Sequence, residues 1–95
     1  MIDAVSDGLI VAAKDQVFCS LAEESVILNL KSGMYYGLDP VGSFVWKLIQ
    51  TERDLREIRD LILEEYDVEP ERCEQDLVEL LNDFSAQGLV EIKGK

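Results

Sequence analysis

The sequence predicts an α+β fold of the winged helix-turn-helix class: a three-stranded antiparallel β-meander, then three helices and a short C-terminal strand. Hydrophobic residues alternate with a period of two between residues 16 and 38, and they recur with a helical period between residues 40 and 87. A tight, proline-containing break separates the last two helical segments, as in a helix-turn-helix. At 95 residues, of which 47% are hydrophobic, the chain has the size and composition of one globular domain.

We expect residues 16–95 to form the winged-helix domain and residues 1–15 to form an N-terminal segment. The apolar residues of this segment are interrupted by Asp7 and Gly8. The pattern fits either a short lead-in strand or a tail that lies on the domain, so the sequence leaves the structure of the segment open.

Three segments have the composition of β-strands: residues 16–21, 25–30 and 34–38. Residues 22–24 form a polar turn between the first two. Residues 31–33 predict a three-residue hairpin loop, in which the glycine takes the left-handed conformation of a G1 bulge. Alternate residues of the second and third strands share a face: Val26, Leu28 and Leu30, and Met34, Tyr36 and Leu38.

Helix ends are marked by capping residues. Asp39 predicts the N-cap of the first helix, with Pro40 at its first position, and this helix extends to Gln50. Thr51 predicts the second N-cap, with Asp54 at the third helical position of a capping box. The apolar stripe of the second helix comprises Leu55, Ile58, Leu61, Ile62 and Tyr66.

The third helix is predicted to begin at Pro70 and to end at Gly88, and a last strand is expected at residues 89–92. Its apolar side comprises Cys73, Leu77, Leu80, Leu81 and Phe84. Five carboxylates and one arginine also lie on this helix: Glu71, Glu74, Asp76, Glu79, Asp83 and Arg72. Because these carboxylates would repel the phosphates of a DNA groove, we expect no nucleic-acid partner.

Composition excludes most catalytic chemistry. The net charge is −11 and the chain has no histidine, so histidine-dependent triads and zinc-finger spacings are absent. No glycine-rich phosphate-binding motif occurs, and Cys19 and Cys73 fit small buried hydrophobic residues. We therefore expect no enzyme activity, no metal and no cofactor. Because no signal peptide or membrane-spanning stretch is seen, we expect a cytoplasmic protein without a membrane partner.

The strand Met34, Tyr35, Tyr36, Gly37, Leu38 is the strongest candidate for a binding site. As the last strand of the meander it should leave one edge unpaired, and it has no charge and no proline to protect that edge. A peptide could add there as a further strand, against a wall formed by the third helix. The alternative is that both tyrosines complete the core and Gly37 marks a bulge.

The same residues carry a family resemblance. The run from Val26 to Leu30, the segment from Gly33 through Trp46, and the run from Leu80 to Val90 resemble the PqqD family of RiPP recognition elements. These are winged-helix domains that capture the leader region of ribosomally made precursor peptides. The resemblance extends over residues 16–92.

The resemblance implies a mechanism and a set of site residues. The leader peptide would add antiparallel to the third strand, in the cleft between that strand and the third helix. Residues 34–38 would supply backbone bonds, and the opposite wall would comprise Arg72, Cys73, Asp76, Leu77 and Leu80. Leu77 and Leu80 fit a purely structural role equally well. The acidic third helix suggests a basic leader residue or a basic partner enzyme.

Within the family, the chain most resembles the separate recognition subunit of lasso-peptide systems, which works with a cysteine leader peptidase. The partners implied are a precursor leader peptide and this separate maturation enzyme. Three alternatives stay open: a peptide chaperone for a radical SAM enzyme, a winged-helix regulator, and a module that dimerises through the exposed strand.

Overall fold

The computed structural model describes residues 8–21 and 24–94. Its described elements are, in chain order, β1 (Gly8–Ala12), β2 (Gln16–Leu21), β3 (Glu24–Asn29), β4 (Tyr35–Leu38), α1 (Pro40–Leu48), β5 (Arg53–Asp54), α2 (Leu55–Glu65), α3 (Pro70–Ala86) and β6 (Val90–Gly94). The described strands form two antiparallel sheets, with orders β2-β3-β4 and β5-β1-β6. The predicted α+β class, with a meander followed by three helices, is confirmed.

The β2-β3-β4 sheet is the predicted meander. Phe18, Ile27 and Tyr36 lie directly opposite one another on the face that packs on the helices, and Ile27 is fully buried. Strand β3 begins one residue earlier than predicted, at Glu24, and β4 begins one residue later, at Tyr35. The predicted turn at residues 22–24 falls largely outside the described residues.

Counted between the hydrogen-bonded residues Asn29 and Met34, the β3–β4 hairpin loop has four residues, 30–33, so the predicted three-residue loop is wrong by one. The Asn29 N–H donates to the Met34 carbonyl at 2.9 Å, and the Gly33 N–H donates to the Asn29 carbonyl at 2.7 Å. The chain turns early because the Asn29 side chain accepts hydrogen bonds from the backbone N–H groups of Lys31 and Ser32. Leu30 therefore lies in the turn instead of on the strand face, whereas Gly33 has the predicted positive φ, 73°.

The second sheet contains residues 8–12 of the N-terminal segment as its central strand. In the described part of this segment, the strand alternative is observed: β1 lies between β5 and β6, and its Ile10 is opposite both Arg53 and Ile92. Ile10 is fully buried. The C-terminal strand starts at Val90 instead of the predicted Leu89, because the Leu89 N–H donates to the Phe84 carbonyl at the end of α3.

Two predicted helix boundaries need correction. The Asp54 carboxylate accepts a hydrogen bond from the Glu57 N–H at 2.8 Å, so Asp54 is the N-cap of α2 and Thr51 is not. The helix starts late because Asp54 first pairs with β1 as part of β5. Helix α1 ends at Leu48 instead of Gln50, and the Ile49 carbonyl accepts from β1.

The other helix ends follow the prediction. The Asp39 carboxylate accepts a hydrogen bond from the Gly42 N–H at 2.7 Å, and Pro40 occupies the first turn of α1. Pro70 begins α3, and Gly88 follows that helix with a φ of 72°. Residues from both sheets and all three helices form one core, with Phe84 fully buried in it.

The Asp39 cap predicts a measurable contribution to stability. We expect Asp39→Ala to lower the free energy of unfolding by about 1 kcal/mol, because the first turn of α1 loses its side-chain acceptor. Asp39→Asn should change it little, since asparagine is an equally good N-cap. Urea denaturation followed by the fluorescence of the single tryptophan, Trp46, measures both. Equal losses in the two variants would contradict a capping role.

Candidate functional site

Strand β4 has a free edge among the described residues. The hydrogen bond from Asn29 to Met34 fixes which residues of β4 face β3. Since the bonding direction alternates along an antiparallel pair, the backbone N–H and C=O groups of Tyr35 and Gly37 point away from β3. No other described strand pairs with this edge. It therefore offers two residues whose backbone groups are available to another strand.

The side chains of the predicted strand divide between surface and core. Met34 and Tyr35 are 62% and 74% exposed, whereas Leu38 is buried. Tyr36 is half-buried, and its ring meets the ring of Phe84 edge to face at a centroid distance of 5.4 Å. The alternative that Tyr35 completes the core is wrong. Gly37 keeps regular register with Val26, so the alternative of a bulge at this glycine is also wrong.

A cavity of about 380 Å³ lies between the start of α1, α2 and α3. All five predicted residues of α3 line it, and sequence analysis missed the other seven. The lining residues are Asp39, Val41, Gly42, Ile62, Val68, Arg72, Cys73, Asp76, Leu77, Glu79, Leu80 and Asp83. Residues 34–38 do not line this cavity; three of them border a much smaller pocket near the end of α3. The cavity instead begins where β4 ends, at Asp39.

The five predicted wall residues of α3 have different exposures. Cys73 and Leu77 are buried, at 6% and 3% exposure, and belong to the core as well as to the cavity floor. The expectation of burial is therefore correct for Cys73 and wrong for Cys19, which is exposed on β2. Leu80 is half-buried, and Arg72 and Asp76 are exposed. The structural role considered for Leu77 therefore coexists with a place in the cavity wall.

The α3 wall residues came from the family resemblance, and helical spacing is consistent with a shared position on one wall. Arg72, Asp76, Leu80 and Asp83 recur at intervals of three or four residues, so they share one face of the helix. This pattern is visible in the sequence and could have identified Asp83. No local pattern identifies Val41 and the other contributions of α1 and α2, because they reach the cavity only through packing between helices.

The electrostatics of the site are acidic. Burial raises the pKa of the Tyr36 hydroxyl, and the nearby carboxylates of Asp83 and Asp39 raise it further. Burial also raises the pKa of the Cys73 thiol, with Arg59 opposing and Asp76 adding to the shift. A thiol with a raised pKa stays protonated at neutral pH, which suits packing and does not suit nucleophilic attack.

Two further kinds of site are absent from the described part of the chain. Residues 8–21 and 24–94 contain no cluster of ligand side chains that could hold a metal ion. In the same residues, no helix has the length and apolarity needed to cross a membrane. The free edge of β4 and the cavity beside α3 form the candidate site.

Solved structures share this fold. TbiB1 in complex with the TbiA(beta) leader peptide matches with a TM-score of 0.77 and 34% identity, over 85% of this chain and 94% of that chain. Lasso peptide synthetase B1 complexed with the leader peptide matches with a TM-score of 0.76 and 17% identity, over 86% and 96%.

A third match is the solution structure of the PqqD truncation of Methylobacterium extorquens PqqCD, described as a functional and stand-alone RiPP recognition element. Its TM-score is 0.74 at 16% identity, over 95% of this chain and 99% of that chain. At identities of 17% and 16%, the second and third structures show a shared fold.

Sequence comparison addresses the family directly. No curated protein matches the chain significantly. The family model for coenzyme PQQ synthesis protein D (PqqD), by contrast, matches residues 24–90. This match includes β3, β4, all three helices and the cavity wall, which is well over half of the chain. The chain is therefore a member of the PqqD family.

Proposed function

We propose that this protein is a RiPP recognition element that captures the leader region of a precursor peptide as an added strand on β4. The observation that carries the proposal is the free, uncharged edge of β4 beside the cavity of α3. An antiparallel leader strand would bond to the outward backbone groups of Tyr35 and Gly37. Its side chains would contact Tyr36 and the α3 wall of Arg72, Cys73, Asp76, Leu77 and Leu80. The TbiB1 complex with a leader peptide supports this role.

In this proposal the protein is not catalytic and presents the bound precursor to a separate maturation enzyme. The enzyme that the family resemblance implies is a cysteine leader peptidase, and the match to lasso peptide synthetase B1 supports a lasso-peptide partner. Binding the leader raises the effective concentration of the attached core peptide at that enzyme. Val17 and Tyr35, on the outer face of the β2-β3-β4 sheet, give a protein partner an exposed apolar surface. Free Cys19 and Cys73 fit the reducing cytoplasm.

Calorimetry with two peptides tests the proposal. The first is the TbiA(beta) leader peptide, and the second is the leader half of a precursor peptide identified in the reading frames that neighbour this gene. We expect the second to bind with a Kd in the micromolar to nanomolar range, about −8 to −12 kcal/mol. The first should bind more weakly. Absence of binding to the second would contradict leader capture, and a tight homodimer that uses β4 would do the same.

A side-chain variant measures the contribution of the pocket. We expect Tyr36→Ala to lower the leader affinity by about 1–3 kcal/mol, because its half-buried ring would anchor the peptide side chains. Phe18→Ala is the matched control, since Phe18 is a half-buried aromatic residue on the same sheet face but on the strand farthest from the free edge. Calorimetry on folded variants compares them. Unchanged affinity in Tyr36→Ala would remove Tyr36 from the site.

A peptide chaperone for a radical SAM enzyme is the second candidate, because the matching family model describes a protein of coenzyme PQQ synthesis. Both candidates use the same edge and differ in the enzyme that receives the peptide. The neighbouring reading frames distinguish them. A cysteine peptidase and an ATP-dependent cyclase beside a short precursor gene favour the lasso-peptide role, whereas a radical SAM gene favours the chaperone.

A further inference from the structure

The charges around the cavity are strongly unequal. Four carboxylates line it, those of Asp39, Asp76, Glu79 and Asp83, against the single cation of Arg72. Arg72 Nε lies 3.7 Å from Asp76 Oδ2, so these two charges compensate each other. The other three carboxylates form no salt bridge with any residue in the described ranges, although one oxygen of Asp39 accepts the capping hydrogen bond from the Gly42 N–H. The cavity lining therefore retains three negative charges without a cationic partner in the described part of the chain.

This negative charge lies at the end of the cavity nearest β4. Asp83 is eleven residues beyond Arg72, which separates them by about 16 Å along α3. Asp39 directly follows β4, and both Asp39 and Asp83 lie near enough to the Tyr36 hydroxyl to raise its pKa. Two carboxylates from different elements therefore line the same cavity, one of them directly after the free edge strand.

Between these carboxylates and the core the cavity wall is apolar. Leu77 is buried there, and the half-buried side chains of Val41 and Leu80 continue the surface toward the opening. The volume of about 380 Å³ is sufficient for a long side chain. A lysine or arginine buries its aliphatic stem on apolar surface and keeps its charged group at a polar rim. The cavity has this combination of wall and rim.

We propose that the cavity binds a lysine or arginine of the leader peptide, with its aliphatic stem on Leu80 and its cationic group between Asp39 and Asp83. The proposal rests on the proposed function and specifies which leaders this chain accepts. Because the cavity begins at the Leu38 end of β4, an antiparallel peptide would place the basic residue at the N-terminal end of its paired segment. Charge complementarity at this position would distinguish cognate from foreign leaders.

Selection from a displayed library of random peptides tests this specificity. The full chain and the Asp39→Asn/Asp83→Asn double variant are used as separate targets, and the asparagine at position 39 preserves the helix cap. Glu64→Gln/Glu91→Gln removes the same charge from exposed residues that do not line the cavity. We expect peptides selected on the wild-type chain and on this control to be enriched in lysine or arginine at one position. The double variant at Asp39 and Asp83 should lose that enrichment.

One selected peptide is then used in a double-mutant cycle that measures binding affinity. Replacing its lysine by norleucine, which keeps the stem and removes the charge, should weaken binding about tenfold on the wild-type chain and on the control. On the double variant at Asp39 and Asp83 the same change should have less than about a twofold effect. Equal losses of affinity on all three proteins would overturn the specificity for a basic residue and leave peptide capture intact. The same conclusion would follow if the selected peptides require the β4 edge but show no enrichment in lysine or arginine. If no peptide is selected, both proposals are wrong.

Discussion

Replacing Tyr35 by proline is expected to abolish leader binding while leaving the fold intact. The Tyr35 N–H points away from β3, so proline removes no hydrogen bond of the sheet, and proline is tolerated on an edge strand in this position. The Tyr35 side chain is 74% exposed, so its loss costs little packing. The proline ring would instead occupy the place where a leader strand must approach.

The expected loss of affinity is about 100-fold or more. The hydrogen bond from the Tyr35 N–H to a carbonyl of the leader is lost. A buried carbonyl left without a donor costs about 1–3 kcal/mol of binding free energy. Steric contact with the ring adds to this loss. Calorimetry with the leader encoded beside the gene measures the affinity, and thermal unfolding of the free protein shows whether the fold is preserved.

Tyr35→Ala is the matched control, because alanine also removes the aromatic ring but keeps the N–H group. We expect it to retain affinity within about tenfold, as for a side chain outside the energetic centre of an interface. Gly37→Pro provides a second block at the other outward N–H, in a position where a Cβ would have no neighbour within 4 Å. If both proline variants fold and bind as tightly as the wild-type chain, strand addition on β4 is wrong.

The edge of β4 could be predicted because it depends on local features. Gly33 identifies the turn, and the absence of charge from residues 35 to 38 is read directly from the sequence. The hairpin then makes β4 the last strand of its sheet. What the local pattern could not give was the exact loop length, because the Asn29 side chain starts the turn one residue early.

The second sheet could not be predicted because its pairings are distant in sequence. Strand β1 pairs with β5 more than forty residues later and with β6 about eighty residues later, and no local alternation records such a register. The same pairing decides the start of α2. Thr51 and Asp54 fit a capping box, but β1 holds Asp54 in an extended conformation, so the helix begins after it.

The candidate site likewise combines residues that a local pattern can identify with residues that only tertiary packing brings together. The family resemblance named five wall residues of α3, and all five line the cavity. Asp39 was identified only as a helix cap, although its carboxylate also lines the cavity. Its second role arises from packing of α1 against α3, and no pattern within either helix specifies how the two meet.

Phe84→Ala is expected to produce the largest loss of stability, about 3–5 kcal/mol. Phe84 is fully buried, and its ring contacts the rings of Tyr36 and Trp46 edge to face at 5.4 and 5.8 Å. Truncation leaves a cavity and removes both aromatic contacts. A domain of this size has roughly 5–14 kcal/mol of stability, so the variant would lose a large fraction of it. Urea denaturation followed by circular dichroism measures the change.

Phe18→Ala serves as the control, because Phe18 is a half-buried phenylalanine and its truncation should cost about half as much. The comparison also bears on function, since Phe84 is the contact through which α3 supports Tyr36 of the edge strand. We therefore expect Phe84→Ala, measured at a temperature where it is folded, to bind leader more weakly than Phe18→Ala. A stability loss below about 1.5 kcal/mol would contradict the core role of Phe84. Equal leader affinities in the two variants would show that the spacing between β4 and α3 does not depend on the Phe84 ring.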